Sequence, residues 1–378
     1  MKIDSTETTH PFRLAIVVGT RPEIIRLSAI IKLAQTYFDV NLVHTGQNYD
    51  ANLNDIFFHD LDLSPPQHYL DCSRDNLGRT VGDVIAKSYE LFVSIKPNAL
   101  LILGDTNSCL CAYSAKRLKI PIFHVEAGNR CFDPNVPEEI NRRIIDHLSE
   151  VNICYMEHSR RNLLSEGLKS QYVFVVGSPM REVLDGIRDK IAASTVLDQL
   201  NLQHREYFVL SVHREENVDN DARLLTIANS ISMISSTYGK KIIVSTHPRT
   251  RKAFNARDIT FDPNVLLCEP FGIVDYCKLQ QHASCVISDS GTLTEESTIL
   301  GFPAVLLRNS TEHPEGIDSG GVILGNTDWS SLQTNLSIAL LKDSWANIES
   351  YNDTNVSEKV CKIISGYTGV VNRFLWMK

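Results

Sequence analysis

The stretch RLAIVVGTRPEIIR, residues 13–26, reads as a strand that turns directly into a helix. Leu14 to Val18 is apolar without alternation, which suits a strand covered on both faces. Thr20 and Glu23 have the spacing of a capping box, and Pro22 suits the first helical position. These roles account for three residues of the turn but leave Arg21 unexplained. A cation at a helix start is disfavoured by the helix dipole unless an anion is present, so Arg21 is a candidate phosphate contact.

The same pattern recurs outward from this stretch. Apolar runs fall at 40–46, 99–105, 120–126, 151–156 and 172–177, with helical patterns between them. A second series falls at 207–213, 241–247, 265–270, 285–291 and 303–308. Alternation of this kind predicts βαβ units and parallel sheets. The 378 residues, 43% apolar, exceed one ordinary core. The expected fold class is therefore α/β: two Rossmann-like, doubly wound parallel-sheet domains, 1–177 and 178–366, facing across a cleft. A C-terminal helix at about 367–378 is expected to rejoin the first domain.

The formal net charge of −8 argues against a general nucleic-acid binder or a basic membrane-surface protein. Nine scattered cysteines without a CxxC pair fit a reducing cytoplasm. The leader MKIDSTETTHPFR has no apolar signal-peptide core, and no run reaches membrane-span length. There is no GxGxxG after a strand, no Walker loop, no GxSxG and no HExxH, and no metal or cofactor is expected.

Ligands of open α/β sheets bind beyond the strands' carboxyl ends, so the polar residues after each run are the candidates. Asp105 and Glu126 sit there in the first half; His213, His247 and the SDSG turn, 288–291, sit there in the second. SDSGTLTEE, 288–296, predicts a strand, small residues and a helix whose free N–H groups can cradle a diphosphate through Ser290, Gly291 and Thr292. Glu296 lies further into that helix, where a carboxylate can accept ribose hydroxyls, although Thr292 and Glu295 also have ordinary capping spacing. Tyr276 has two readings, a base-stacking ring or a core aromatic.

VPEEINRR, 136–143, opens a helix at Pro137. Glu138 with Arg142, and Glu139 with Arg143, have i,i+4 spacing, which ordinarily means a solvated salt-bridged face. Ile140, Ile144 and Leu148 are expected to mark the buried stripe. That stripe leaves Glu138 and Arg142 on another face, available to an acid–base cluster with Glu126.

GTRPEIIR, GDT, HVEAG, PEEINRR, HREEN, SDSGTLTEE and TEHPEG occur in this order over most of the chain. Together they resemble the non-hydrolysing UDP-N-acetylglucosamine 2-epimerase family, whose fold is GT-B. The longer segments at 126–147, 213–220 and 245–252 resemble the branch that acts on UDP-2-acetamido-2,6-dideoxy-L-talose. The resemblance implies a homodimer that eliminates and re-adds UDP across a glycal, with no cofactor. It makes Asp105, Glu126 and Glu138 the acid–base candidates and gives Arg26 and Arg142 supporting roles. His213 becomes the stabiliser of the departing phosphate. Arg21, Pro22, His247, Tyr276, Ser290, Gly291, Thr292, Glu296 and His313 become the substrate-binding set.

Three positions depart from the family pattern. Arg26 stands where many members have lysine, His313 replaces arginine, and TGQNYD (45–50) replaces a QHR motif tied to an allosteric UDP-sugar site in some relatives. The rival readings are a GT-B glycosyltransferase, a hydrolysing epimerase and a non-catalytic sugar-nucleotide sensor.

Overall fold

The computed structural model describes residues 12–46, 57–341 and 347–378. Gln47–Asp50 of the TGQNYD segment lie outside them. The chain divides into two compact units: Met1–Gly186 with Asp353–Lys378, and Ile187–Asn352.

The first unit is built on a seven-stranded sheet in the order β3-β2-β1-β4-β5-β6-β7, all parallel. Its strands are β1 (Arg13–Val18), β2 (Asp39–His44), β3 (His68–Tyr69), β4 (Ala99–Leu103), β5 (Ile122–Val125), β6 (Val151–Cys154) and β7 (Val173–Val175). Leu14–Val18 and all of β4 are buried, as a sheet covered on both faces requires. On one face Ala15, Val17, Leu100 and Ile102 pack with Val84 and Phe92 of the helix Leu77–Ile95. Each of these side chains except Ala15 contributes about 1.5–3 kcal/mol by leaving water.

The second unit carries six parallel strands in the order β10-β9-β8-β11-β12-β13. They are β8 (Tyr207–Ser211), β9 (Lys241–Ser245), β10 (Val265–Cys268), β11 (Val286–Ser288), β12 (Ala304–Leu307) and β13 (Ile323–Gly325). Alternate residues of β8 enter different cores: Phe208 and Leu210 pack with Ile227 and Ile231, while Tyr207 and Val209 pack with Leu279 and Phe302. β3 and β13 span two and three residues, too short to register as apolar runs.

The units divide nine residues later than the sequence suggests, after Gly186 rather than 177, because the helix Met180–Gly186 packs on Arg21–Tyr37. The return comes earlier. Ser357 donates its N–H to Glu182 Oε1 (3.1 Å) and Lys359 Nζ to the Val176 carbonyl (2.9 Å), which anchors the whole helix Val356–Phe374 to the first unit.

Candidate functional site

β1 and β4 are neighbours although β2 and β3 intervene in sequence, so the winding reverses between them. Sheets of this type bind ligands beyond the carboxyl ends at such a reversal. The Gly19–Arg21 turn and the Gly104–Asp105 turn leave the sheet at this point. The Glu23 carboxylate ties them together: it accepts from Gly19 N (2.6 Å), Thr20 N (2.7 Å), Thr106 Oγ1 (2.7 Å) and Ser108 Oγ. Burial raises the Glu23 pKa, and these donors pull against it. Glu23 thus does more than close the helix cap, as its spacing from Thr20 suggested. Pro22 is exposed at the helix start, and the Arg21 guanidinium lies 5.7 Å from the Phe57 ring centroid.

Asp105 receives Arg142 from the helix Pro137–Leu148, with Nε 2.9 Å and Nη2 2.6 Å from Oδ2. Arg142 also reaches Glu139 Oε2 at 3.2 Å, and Glu139 Oε1 accepts from Arg143 at 3.1 Å. This corrects two expectations. The inward face of the helix is ionic, with Glu139, Arg142, Ile145 and Asp146 buried, while Ile140 and Ile144 are 56% and 44% exposed. The charges turn inward because each finds a partner on the β4 turn, on β5 and the turn after it, or on the helix itself, which offsets the desolvation penalty of an isolated ion. Glu139, not Glu138, is the helix partner in the recorded Arg142 pairs. Glu138 is half-buried, and among the described residues no hydrogen bond or ion pair engages it.

Glu126 directly follows β5. It is 9% exposed and held at φ +68°, a left-handed conformation that costs a non-glycine residue about 1–2 kcal/mol. Arg26 donates to its carboxylate, as do Tyr155 Oη (3.3 Å) and Asn129 Nδ2 (3.4 Å). Behind it, the next turn of chain is pinned by Gly128 at φ +82°, where a Cβ would lie 2.3 Å from the Ser159 carbonyl oxygen. Asp146 accepts from Gly128 N (3.2 Å) and Arg130 Nη1 (2.7 Å), and lies 2.9 Å from His124 Nδ1. His124 Nε2 reaches the Gly104 carbonyl at 2.7 Å, so one buried chain of contacts joins the Asp105 and Glu126 turns.

The second sheet reverses between β8 and β11. Asp289, fully buried after β11, accepts from the backbone N–H groups of His213 (3.1 Å) and Arg214 (3.0 Å) and from Asn217 Nδ2 (2.9 Å), with His213 Nδ1 3.0 Å away. Burial alone would raise its pKa; the His213 imidazole and these donors outweigh burial and hold it at about 2. Ser290 and Thr292 hydroxyls are 3.0 Å apart at the start of the helix Leu293–Leu300, and Thr292 makes no side-chain cap, contrary to the capping reading. Glu296 accepts from Gln280 Nε2 at 2.6 Å. Tyr276 packs against the Tyr207–Phe302 core, and its burial raises the phenol pKa. His247 caps the helix Pro248–Asn255 by accepting from Arg249 N (3.2 Å), and its ring centroid lies 6.3 Å from that of His213.

His313 is buried, 3.0 Å from Glu315 Oε1, which also accepts from Tyr351 Oη. Burial would lower its pKa, but Glu315, with Glu312 and Glu295, raises it to about 9. Arg308 and Glu312 were not singled out from sequence, while Asp289 entered only as part of the SDSG turn and Glu139 only as a partner of Arg143. Arg308 was discoverable by the same rule as the others, since it is a charge at the end of an apolar run. Among the described residues no group of three or more His, Cys, Asp or Glu side chains is placed to hold a metal ion.

The fold is an α/β architecture of two doubly wound parallel sheets, one carrying arginine-held carboxylates at its strand ends and the other a small-residue turn before a helix. A family model described as UDP-N-acetylglucosamine 2-epimerase matches residues 32–365. A UDP-N-acetylglucosamine 2-epimerase of Methanocaldococcus jannaschii is 36% identical over 369 residues, covering 93% of this chain and 99% of the relative. Among solved structures, a UDP-N-acetylglucosamine 2-epimerase from Rickettsia bellii matches with a TM-score of 0.90 at 41% identity, covering 98% and 100% of the two chains. The Methanocaldococcus jannaschii UDP-GlcNAc 2-epimerase in complex with UDP-GlcNAc and UDP matches with a TM-score of 0.88 at 34% identity, covering 94% and 99%. This chain belongs to the UDP-N-acetylglucosamine 2-epimerase family and is an isomerase.

Proposed function

We propose that the chain inverts C2 of a UDP-linked 2-acetamido sugar by eliminating and re-adding UDP. The observation that carries this reading is the set of carboxylates at the ends of β4 and β5, Asp105 held by Arg142 and Glu126 held by Arg26. In the forward step the anomeric C1–O bond breaks, UDP leaves with the electron pair, and a carboxylate takes the C2 proton to give a C1=C2 glycal. In the return step a second carboxylic acid protonates C2 from the opposite face and UDP attacks C1. Proton transfer of this kind supplies about 10²–10⁴ in rate.

Asp105, Glu126 and the unengaged Glu138 take the proton-transfer roles. Arg142 and Arg26 hold their partners in position. The second unit takes the nucleotide: Arg214 and His213 lie beside the SDSG turn that receives the diphosphate, Glu296 takes the ribose and Tyr276 the uracil. Arg21, Pro22, His247 and His313 complete the substrate set. The finer reading is UDP-2-acetamido-2,6-dideoxy-L-talose to UDP-N-acetyl-L-fucosamine for surface polysaccharide, supported by the segments 126–147, 213–220 and 245–252. The second reading, interconversion of UDP-N-acetylglucosamine and UDP-N-acetylmannosamine, is supported by the names of the relatives.

Incubating the protein with each UDP-sugar in D2O and following C2 by NMR tests both readings. Deuterium at C2 with UDP still attached is expected; free sugar plus UDP would mean hydrolysis, and no exchange would return the glycosyltransferase reading. A homodimer is part of the proposal, supported by exposed Tyr89, Val93, Tyr113, Ile140 and Ile144 on three successively packed helices. Cytoplasmic residence is supported by nine free cysteines. No helix among the described residues is long and apolar enough to cross a membrane.

A further inference from the structure

Arg308 follows β12, and its side chain is 1% exposed. Its Nη2 lies 2.6 Å from Glu312 Oε2, while Nε and Nη1 have no hydrogen-bond partner among the described residues. Buried donors of a charged group are expensive to leave unpaired, and native proteins keep them so mainly where another acceptor visits. The unpaired Nη1 is directed at the SDSG turn: a Cβ at Gly291 would lie 3.8 Å from it and 2.7 Å from Glu312 Oε1. Glu312 therefore sets a carboxylate against the backbone of Gly291, where the helix Leu293–Leu300 begins and where N–H groups have no intrahelical acceptor. Arg214 Nη2 approaches the same carboxylate at 3.6 Å. An internal anion thus occupies a position bordered by two arginines, two hydroxyls and a helix start, which is the setting that favours a phosphate group.

We propose that Arg308 is a binding residue for the substrate diphosphate, and that Glu312 is its resident partner, displaced when the diphosphate seats on Ser290–Thr292. The inference rests on the UDP-sugar reading and extends it. Glu312 is a competitor in this arrangement, so the two partners of one ion pair have opposite effects on nucleotide affinity. A bracing salt bridge would give both variants the same sign.

The test is calorimetric titration of the full chain with UDP, UMP and inorganic pyrophosphate. R308Q is expected to weaken UDP by about 10–100-fold, the range for losing hydrogen bonds to a charged group, and UMP by much less. E312Q is expected to tighten UDP severalfold. Equal weakening of UDP and UMP by R308Q, or weakening of UDP by E312Q, would overturn the proposal. Should R308Q fail to fold by circular dichroism, R308K and E312Q decide by the same criteria. If the wild type binds neither uridine nucleotide, the function reading fails on its own. Pyrophosphate then judges Arg308: binding that Arg308→Lys and Glu312→Gln leave unchanged removes it from the anion site.

Discussion

Arg142 holds Asp105 from a helix that starts 32 residues later in the chain, with two nitrogens within 2.9 Å of one carboxylate oxygen. The same guanidinium reaches Glu139, so one buried cation serves two acids. Breaking such a pair by removing one partner costs about 3–5 kcal/mol, because the remaining charge is left desolvated. Arg142→Gln is therefore expected to lower stability by that order in urea melts. It is also expected to reduce kcat about 100-fold, while UDP affinity, assigned to the other unit, stays within about twofold. Loss of UDP binding with kcat preserved would remove Arg142 from the proton-transfer machinery.

Glu126 is held in a left-handed backbone conformation with Arg26 on its carboxylate. Glu126→Gln keeps the shape and one accepting oxygen for Arg26 and Tyr155, gives up the contact with Asn129, and cannot take a proton. Deuterium exchange at C2 should fall by about 10³-fold with UDP binding retained, read by NMR and calorimetry. A variant exchanging at the wild-type rate would exclude Glu126 as an acid or base.

Much of this was legible in the sequence. Uninterrupted apolar runs gave both sheets, since strands buried on both faces need no polar alternation, and Asp105, Glu126, His213 and Ser290 stand just beyond the strands as those runs placed them. The helix Pro137–Leu148 misled because its apolar spacing and its charge spacing are both helical, and periodicity cannot say which face turns inward. The decision came from tertiary partners far away in sequence: Asp105 for Arg142, and His124 with Arg130 for Asp146. Glu139 was read only as a solvated partner of Arg143 for the same reason, and Arg308 was overlooked although it too is a charge at the end of an apolar run.

The exposed Ile140 and Ile144 turn that error into a test. Apolar side chains on three packed helices of the first unit are the face that the proposed homodimer would cover. Ile144→Glu would place a charge in that interface and should yield a folded monomer in sedimentation velocity. A variant that sediments with the wild type as a dimer would move the interface elsewhere.

Asp289 links the second site to acid stability. Its folded pKa of about 2 lies below the usual carboxylate value of 3.8, so the ionised form is the one that folding favours. That stabilisation, about 2 kcal/mol, is present above pH 4 and is lost as pH falls through about 2. Asp289→Asn should be less stable at neutral pH and should lose part of the acid slope between pH 4 and 2 in denaturant melts. An unchanged slope would assign that slope to other carboxylates.

His313 has the opposite sign. Its folded pKa of about 9 exceeds the ordinary 6.5, because Glu315 at 3.0 Å, with Glu312 and Glu295 nearby, outweighs the cost of burying a cation. Folding therefore favours the protonated ring. The resulting stability is complete below pH 6.5 and declines as pH rises through about 9, by up to about 3 kcal/mol. The second unit should accordingly lose stability between pH 7 and 9.5, in a range where ordinary carboxylates are already fully ionised. His313→Gln leaves Glu315 with Tyr351 Oη as a partner but nothing to titrate in that window. Its melting temperature should be lower than wild type at pH 6.5, and the two should converge toward pH 9.5. Parallel curves across the whole range would show that His313 is neutral in the folded protein and that the Glu315 pairing is an uncharged hydrogen bond.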